Sequence, residues 1–459
     1  QLLAHALSKA FQQLSIIEKN LNNKVKFLEK ASTFRQEAIQ IVHEVFPFMY
    51  WEQGVYQNYQ ALIIAESANI EQDEEKKRRL LEIAVSHAEK CLELCQKSIK
   101  FYKQKGYYSA LARYSDNAGQ IFSKLYNITK DKKIAEKAIT AYQNSIELYK
   151  KLNMPTRVAE ITWLIGRIKS QIGEHLKAAE YFEEAAKQYG IAAEKMPNFK
   201  DFYREYKRYM QAWSYIEKVK HEHINRKYAS AALFYKKAAK IHNSLKRFAY
   251  LTQNYLAWYQ LEKAEDLSRK GEDEKAVKKF KEAIITFKDS INRLKYALDE
   301  IKSPYEKDLI MKLINASRLR QEYCEGRISL EEPRMEFAFG HYLQSSKKYG
   351  LAANIFQKVL EKLETDYERE ELLPLFYFCR AWEKMMLALW KLSSELFNEA
   401  SKLFEKAKEH SKDDATILFA LGNSILCKAL EAMTEYEAKR NIETYQLAKQ
   451  LLESATTYY

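Results

Sequence analysis

Glycine and proline are scarce in this sequence. Its 459 residues include 11 glycines and 6 prolines, whereas β-sandwiches, barrels and propellers use such residues at their frequent turns. The scarcity argues against those folds and also against glycine-rich loops that bind phosphate. The sequence patterns of nucleophile elbows, P-loops, zinc metalloproteases and dinucleotide-binding turns are also missing. We therefore expect no catalytic residues and no enzyme.

Cysteine is scarce too, and its spacing suggests no pairing. The five cysteines are odd in number and form no CxxC pair, which argues for a reducing compartment. We expect a cytoplasmic protein. His87, Cys91 and Cys95 recur every four residues, but three such ligands span about 12 Å of helix axis, too far for one metal ion. A buried apolar face is the preferred interpretation, and we expect no metal and no cofactor.

Long apolar runs are missing as well. None approaches the roughly 18 residues that cross a membrane, so we expect no membrane insertion. The chain starts at Gln1 and stops at Tyr459 inside a helical pattern, without the polar capping helix that closes a repeat array. The expectation is that this sequence is a fragment of a longer protein.

What the sequence does have is charge, with an excess of basic residues. There are 75 Lys and Arg against 62 Asp and Glu, which gives a net charge of +13. Such a balance favours nucleic acid, anionic lipid or an acidic partner. Acidic residues are interleaved throughout, however, so ordinary surface charge is the preferred interpretation.

The apolar residues recur with a helical period almost everywhere. A clear case is the set Phe199, Phe202, Tyr203, Tyr206, Met210 and Trp213, which follows the i, i+3, i+4, i+7 spacing of one helix face. No strand-like alternation and no linker are present. Proline commonly occupies the first turn of a helix, which predicts helix starts at Pro155, Pro304 and Pro333. The predicted fold is all-α, with antiparallel helix pairs.

Six windows share one spacing of small and aromatic residues. The clearest contains Trp163, Gly166, Gly173, Ala178, Phe182 and Ala185. The other five carry the same second-helix spacing from Ala138, Ala231, Ala276, Ala352 and Ala400. A small residue twelve positions earlier would let the first helix approach the second, and this predicts first-helix contacts at Gly166, Ala264, Gly340 and Ala388.

These windows resemble the tetratricopeptide repeat family. The resemblance covers roughly residues 105–410 and implies an α-solenoid, a right-handed superhelix of about eight helix pairs. More loosely, the stretches 320–327 and 427–432 resemble helical arrays in large archaeal multidomain proteins. Repeats of the family are 34 residues long, but here successive second helices are 40 to 76 residues apart. The helices are therefore expected to be long.

The largest interval predicts an extra helix at about 303–327, with a bend or split of the array near Pro304. The expected segments are degenerate pairs or a helical cap over 1–104, a repeat array over 105–302, and the extra helix with further pairs over 303–459.

The resemblance implies a non-catalytic scaffold that binds a protein segment in a concave groove lined by first helices. The partner would be another protein or a neighbouring domain of the same parent chain. The expected groove residues are Arg113, Gln120, Arg167, Gln171, Lys220, His223, His341 and Gln344. From local spacing alone, His221 and His223 are interpreted as part of a surface turn. Arg318 and Arg320 are expected to face apart and to form no anion site.

Two further hypotheses stay open. Basic residues interleave with aromatics over 199–228, and such a face can grip phosphates and stack bases of RNA or DNA. Its basic stripe comprises Lys200, Arg204, Lys207 and Arg208. The helical spacing favours a simpler interpretation, in which the aromatics are core and the charges are solvated. A regulatory sensor that holds a small ligand in the groove would require a buried polar pocket.

Overall fold

The fold is all-α throughout the part of the chain that the structure describes. The computed structural model describes residues 2–18, 20–43, 50–104, 108–301, 304–337, 340–363 and 366–458. Eighteen α-helices and no strand occur within these ranges. The predicted all-α fold is confirmed.

Successive helices are separated by few residues along the chain. The first nine are α1 (Leu2–Ile17), α2 (Leu21–His43), α3 (Tyr50–Ile70), α4 (Glu74–Gln104), α5 (Tyr108–Thr129), α6 (Lys132–Lys151), α7 (Pro155–Gln171), α8 (His175–Lys195) and α9 (Lys200–Ile224). The other nine are α10 (Tyr228–Asn243), α11 (Thr252–Arg269), α12 (Asp273–Glu300), α13 (Pro304–Phe337), α14 (Tyr342–Lys362), α15 (Asp366–Lys391), α16 (Ser394–His410), α17 (Asp414–Lys439) and α18 (Ile442–Thr456).

The chain forms two compact units, Gln1–His221 and Glu222–Tyr459. In the first unit each helix from α1 to α8 packs on the next, and in the second unit the same holds from α10 to α18. Helices that are separated by few residues and pack on their sequence neighbours are antiparallel. Each unit is therefore a stack of helical hairpins, which is a helical-repeat architecture. The three segments expected from sequence character, 1–104, 105–302 and 303–459, stay a prediction.

The shared spacing of the six windows is explained by burial. In all six, the aromatic, the alanine four positions before it and the residue three positions after it are buried. In five of the windows they lie on the second helix of a packed hairpin, namely α6, α8, α12, α14 or α16. The aromatics are Tyr142, Phe182, Tyr235, Phe280, Phe356 and Phe404. Each buried aromatic ring stabilises the stack by about 2 kcal/mol. The alanine that precedes the aromatic in every window adds little bulk, so the first helix can come close.

Glycine permits the closest approach between the two helices of a hairpin. A Cβ atom on Gly166 of α7 would lie 3.3 Å from the ring of Phe182 on α8. The turn that follows contains Gly173 with φ +82°, a left-handed conformation that glycine adopts without strain. The first-helix contact predicted at Gly166 is confirmed.

The corresponding prediction for Gly340 is wrong. Gly340 has φ +78° and lies in the turn between α13 and α14. The glycine that approaches the second helix is Gly326, whose Cβ would lie 2.5 Å from the ring of Phe356. Relative to α7 and α8, the spacing from the contact glycine to the turn glycine is seven residues greater, and so is the spacing from the turn glycine to the buried aromatic. Seven residues make about two helical turns, so the added length preserves the packing face.

This extension also corrects the expectations for residues 303–337. The helix predicted at about 303–327 is not an extra one, because α13 is the first helix of a hairpin and runs on to Phe337. Pro155 and Pro304 begin helices as predicted, but Pro333 lies inside α13. Because α12 and α13 pack along each other within the second unit, the stack does not split at Pro304.

Among the described residues, α17 is the helix whose length and composition would allow it to cross a membrane, with a hydropathy of 1.3 over its best window. Small polar residues such as Asn423 and Ser424 interrupt its apolar character, which is why no continuous apolar run marks it. Both are buried, and α17 packs on α16 and α18. A packed helix of the protein interior passes the same test, so this is weak support for a membrane span.

Candidate functional site

The second unit contains a groove with a volume of about 680 Å³. Most of its walls come from the first helices of four successive hairpins, α11, α13, α15 and α17. The end of α9 and the turn before α10 close one side through His223 and Arg226. Because first helices stand next to one another in such a stack, their inward faces form one continuous surface.

Lining residues recur every three, four or seven positions. On α13 they are Arg320, Tyr323, Arg327, Leu330 and Arg334. On α15 they include Glu371, Leu375, Phe378 and Trp382. These spacings keep the side chains on one face of each helix, and that face therefore looks into the groove along its whole length.

Apolar and aromatic side chains make up a large part of the lining. They include Trp258, Leu261, Leu330, Leu363, Leu372, Leu375, Phe378, Trp382 and Phe419. Phe419 is 40% exposed, and its ring lies 5.8 Å from that of Phe378. The groove thus offers apolar surface that a partner's side chains can bury.

A buried ion network lies in the wall of the groove that α11 and α13 form. The Nη1 atom of Arg327 lies 2.5 Å from Oε2 of Glu265 on α11, and its Nη2 atom lies 2.8 Å from Oε1 of Glu331 on α13. Ser268 accepts a hydrogen bond from Arg327 at 2.7 Å and donates one to Glu331 at 2.7 Å. Burial works to raise the pKa of Glu331, but Arg327 and Arg334 hold it below its usual value. The network therefore fixes α13 against α11 by paired charges.

Two further arginines of the groove are held by carboxylates from neighbouring elements. Arg320 lies 3.0 Å from Glu368, and its guanidinium stacks 5.1 Å from the ring centre of Trp258. Arg226 lies 2.5 Å from Asp413. Arg226, Arg320 and Arg327 thus each have a negative partner, and much of the positive charge in the groove is balanced.

Arg269 differs from the other arginines of the groove. No carboxylate of the described residues lies within 4.0 Å of its guanidinium. It donates one hydrogen bond to the carbonyl oxygen of Arg226 at 3.0 Å and stacks 5.6 Å from the ring centre of Tyr228. Its remaining N–H groups are available to a partner at the exposed edge of the groove.

His223 contributes a positive charge beside Arg226. Its Nδ1 atom lies 2.8 Å from Oε1 of the buried Glu262, and its Nε2 atom lies 3.9 Å from Oε2 of Glu371. Burial works to lower the pKa of His223, but the two carboxylates raise it to about 10. The expected surface turn is therefore wrong for His223, which is half-buried in the last turn of α9.

We expect the His223 imidazole to stay protonated at neutral pH. A pKa raised above the unfolded value of 6.5 means that its stabilising effect is complete below about pH 6.5 and is lost as the pH rises through about 10. NMR titration of histidine-labelled protein checks this, with the signal assigned through His223→Gln. A midpoint near 6.5 for that signal would contradict the ion pair.

The predicted groove residues of the first unit lie on the first helices α5, α7 and α9. Gln171 donates to Asn127 of α5 at 3.4 Å, and Lys220 lies 3.0 Å from Ser170 of α7 and 2.7 Å from Glu217. Arg113 and Gln120 are exposed on α5, whereas Arg167 is half-buried on α7. These contacts place α5, α7 and α9 side by side. A partner-binding role for these residues stays a prediction.

His341 and Gln344 are not on a first helix, contrary to expectation. His341 directly precedes α14, and Gln344 lies in the first turn of that second helix. The error follows from Gly340, which was placed inside a helix although it forms the turn. Of the eight predicted groove residues, His223 lines the groove of the second unit.

The stretch 199–228 separates into a buried and an exposed part. Tyr209 is buried, Trp213 is half-buried with its ring 6.0 Å from that of Phe182 in α8, and Tyr206 is 5.5 Å from Tyr189. Core packing thus accounts for these aromatics. The basic residues Lys200, Arg204, Lys207 and Arg208 are exposed on α9. RNA or DNA binding by this face stays a prediction.

The histidine and cysteines of α4 do not form a metal site among the described side chains. His87 Nδ1 lies 2.6 Å from Oε1 of Gln57, and Cys91 is buried; the side chain of Cys95 lies outside the described residues. No group of three metal-binding side chains occurs within the described part of the chain.

Sequence reasoning missed most of the groove, although one signal for it is present. Arg320, Arg327 and Arg334 follow one another at intervals of seven residues and therefore lie on one helix face. The interpretation of Arg318 and Arg320 as a pair did not use this seven-residue spacing. Those two do face apart, since Arg318 is exposed and is not part of the groove.

Comparisons with known proteins add no family. No protein-family profile matches the chain, and no curated protein matches it. Among solved structures the chain is similar to a circular tandem repeat protein with novel repeat topology and enhanced subunit contact surfaces. The match covers 100% of this chain and 97% of that one, at 14% identity and a TM-score of 0.22. Such a low score carries no argument, so the helical-repeat fold rests on the packing described above.

Proposed function

We propose that this protein is a non-catalytic interaction scaffold whose second-unit groove binds a segment of another protein or of a neighbouring domain of its parent chain. The observation that carries the proposal is the groove of about 680 Å³ lined by four successive first helices. Concave surfaces of stacked helical repeats are their usual binding surfaces. The cytoplasm is the proposed location.

The chemistry of the groove suits a peptide segment. Peptides that bind in grooves bury apolar side chains and satisfy polar groups at the edges. Here Leu375, Phe378 and Phe419 offer apolar contact, and Arg269 offers N–H donors at the edge. The paired charges of the groove wall favour a segment of mixed composition over a uniformly anionic polymer.

The resemblance to tetratricopeptide repeats supports the same proposal. In that family the first helices of successive pairs line the concave groove, as α11, α13, α15 and α17 do here. Membership in the family is part of the proposal, because the packing of Gly166 on Phe182 and of Gly326 on Phe356 is its main support.

Affinity purification from native lysate tests the proposal, with and without nuclease and with read-out by mass spectrometry. We expect a defined set of proteins that survives nuclease. Arg269→Glu at the groove edge is expected to lower their recovery about tenfold, since a charge-assisted contact contributes about 1.5 kcal/mol or more. Lys278→Glu is the matched control, because it makes the same charge change at an exposed site on the second helix α12.

The outcome that would contradict the scaffold is loss of all bound material on nuclease treatment. Such a loss would favour the alternative, RNA or DNA on Lys200, Arg204, Lys207 and Arg208. Four phosphate contacts would then give a slope of about −3.6 for log K against log salt on duplex DNA. Equal recovery by Arg269→Glu and Lys278→Glu would remove Arg269 from the proposed binding surface.

A further inference from the structure

The turn between α9 and α10 reaches the N-terminal end of α17 along one side of the second-unit groove. The Nη1 atom of Arg226 lies 2.5 Å from Oδ2 of Asp413, and it donates a hydrogen bond to Oγ1 of Thr416 at 3.2 Å. Arg226 and Thr416 are 190 residues apart in the chain. The first and the last elements that line the groove are therefore joined directly by their side chains.

The same turn is held on α11 and also approaches α15. Arg269 of α11 donates a hydrogen bond to the carbonyl oxygen of Arg226 at 3.0 Å. His223, just before the turn, lies 2.8 Å from Glu262 of α11 and 3.9 Å from Glu371 of α15. The turn is thus fixed at its own end of the groove, and from there it bridges to the helices at the other end.

The bridge to α17 is more exposed to solvent than the ion pairs of the groove wall. In the pair of Arg226 and Asp413 the side chains are 39% and 27% exposed. In the pair of Arg327 and Glu265 both side chains are 8% exposed. Exposed ion pairs contribute little to stability and are screened by salt. The bridge to α17 is therefore a contact that can open while the hairpins stay folded.

Arg226 occupies a backbone position that glycine adopts without strain. Its φ is 56°, and the same position, two residues before the second helix, is taken by Gly173, Gly271 and Gly340 in other hairpins. The N–H group of Arg226 donates to the carbonyl of the residue three positions earlier at 2.8 Å, and that of Gly271 does the same at 3.0 Å. Glycine at position 226 would keep this turn. The side-chain bridge can therefore be removed without disturbing the backbone.

We propose that Arg226, through Asp413 and Thr416, is a latch that controls entry of a partner segment into the groove. This inference rests on the proposed function, because it concerns access to the same groove. While the latch is closed, the turn before α10 and the start of α17 enclose the groove on one side. A segment inside a folded partner has no free end to thread, so it must enter from the side after Arg226 has left α17.

Thiol labelling of Phe419→Cys tests the latch without a natural partner. Phe419 lines the groove and is 40% exposed. One probe is N-ethylmaleimide, and the other is a maleimide attached to a Gly-Ser peptide of about ten residues; mass spectrometry reads the labelling at position 419. We expect Arg226→Gly to accelerate labelling by the peptide about fivefold, because the rate follows the open fraction, and to leave the small reagent unaffected.

Two further changes open the same latch in different ways. Asp413→Asn removes the negative charge but keeps an oxygen that can cap α17, where Asp413 accepts a hydrogen bond from the backbone of Thr416. It should accelerate labelling by the peptide by a similar factor. Salt at about 1 M should accelerate it when Arg226 is present, and have little effect in Arg226→Gly.

Leu392→Gly is the matched control. Leu392 has φ 52° at the same position of the turn between α15 and α16 and does not line the groove. It should leave both labelling rates unchanged, and unfolding curves show that each variant is folded. Equal labelling by the peptide with arginine or glycine at position 226 would overturn the latch. So would an equal acceleration of both probes, which indicates general loosening, or an acceleration by Leu392→Gly.

The outcome for the latch is separate from the outcome for the scaffold. If the latch fails this test, affinity purification can still show a defined set of bound proteins. If the peptide probe enters as expected but no protein is captured from lysate, the latch stands and the proposed scaffold function is contradicted.

Discussion

Arg327→Met is expected to destabilise the second unit by about 4 kcal/mol at neutral pH, the usual cost of removing one partner from a buried ion pair. The Arg327 guanidinium faces Glu265, Glu331 and Ser268. Without it, two buried carboxylates remain with less compensation for their lost hydration. Chemical unfolding followed by fluorescence measures the change in the free energy of unfolding.

The pH dependence of this loss identifies its cause. The pKa of Glu331 is depressed in the folded protein, so its stabilising effect is present above its unfolded pKa of about 4.5 and is lost as the pH falls. In Arg327→Met both carboxyl groups take up protons more readily, and protonation relieves the repulsion between them. The difference between wild type and variant should therefore shrink as the pH is lowered towards 4.5.

Arg293→Met provides the matched control for Arg327→Met. Arg293 lies 3.2 Å from Asp289 on α12 in the same unit, but both side chains are about half exposed. An exposed pair of this kind contributes about 0.5 kcal/mol or less. Equal effects of the two substitutions would contradict the buried network. Replacing Glu265 and Glu331 by leucine together with Arg327→Met should recover part of the loss.

Gly326→Ala is expected to destabilise the second unit by about 2 kcal/mol, although alanine favours helix over glycine by about 1 kcal/mol. The new Cβ atom would lie 2.5 Å from Cε1 and 2.9 Å from Cδ1 of Phe356. The ring is fully buried and has no room to withdraw, so α13 and α14 must move apart. Urea unfolding of wild type and variant measures the cost.

The equivalent position of the first unit gives an internal comparison. At Gly166 the Cβ would lie 3.3 Å from the ring of Phe182, so a shift of a few tenths of an ångström suffices. Gly166→Ala should therefore be neutral or stabilising by up to about 1 kcal/mol. A larger loss at Gly166 than at Gly326 would show that the two hairpins do not pack as described.

The sequence allowed the fold to be predicted because its signals are local. Helical periodicity and the buried spacing around Ala178 and Phe182 depend on residues within one hairpin. The extension of α13 and α14 was missed because Gly326 and Phe356 are 30 residues apart, and Gly340 imitates the expected spacing. The added length is divided between α13 and α14, and each of these helices by itself keeps an ordinary helical periodicity. Neither helix alone therefore indicates that the hairpin is extended.

The groove was largely unpredictable for a different reason. Its ion pairs join residues of different hairpins, such as Arg327 with Glu265 and Arg226 with Asp413. Single-sequence spacing cannot show which carboxylate faces which arginine across helices. It does show that Arg320, Arg327 and Arg334 share a face of α13, and this was the available signal.

Photo-crosslinking from the groove tests the scaffold most directly. A benzoyl-phenylalanine placed at Phe419, which lines the groove and is 40% exposed, reports on anything bound there. The same group at Tyr296, which is 70% exposed on α12, is the control. We predict that position 419 crosslinks in cells to the proteins recovered by affinity purification and that position 296 does not. Crosslinks from 296 alone, or from neither position while those proteins still co-purify, would contradict binding in the groove.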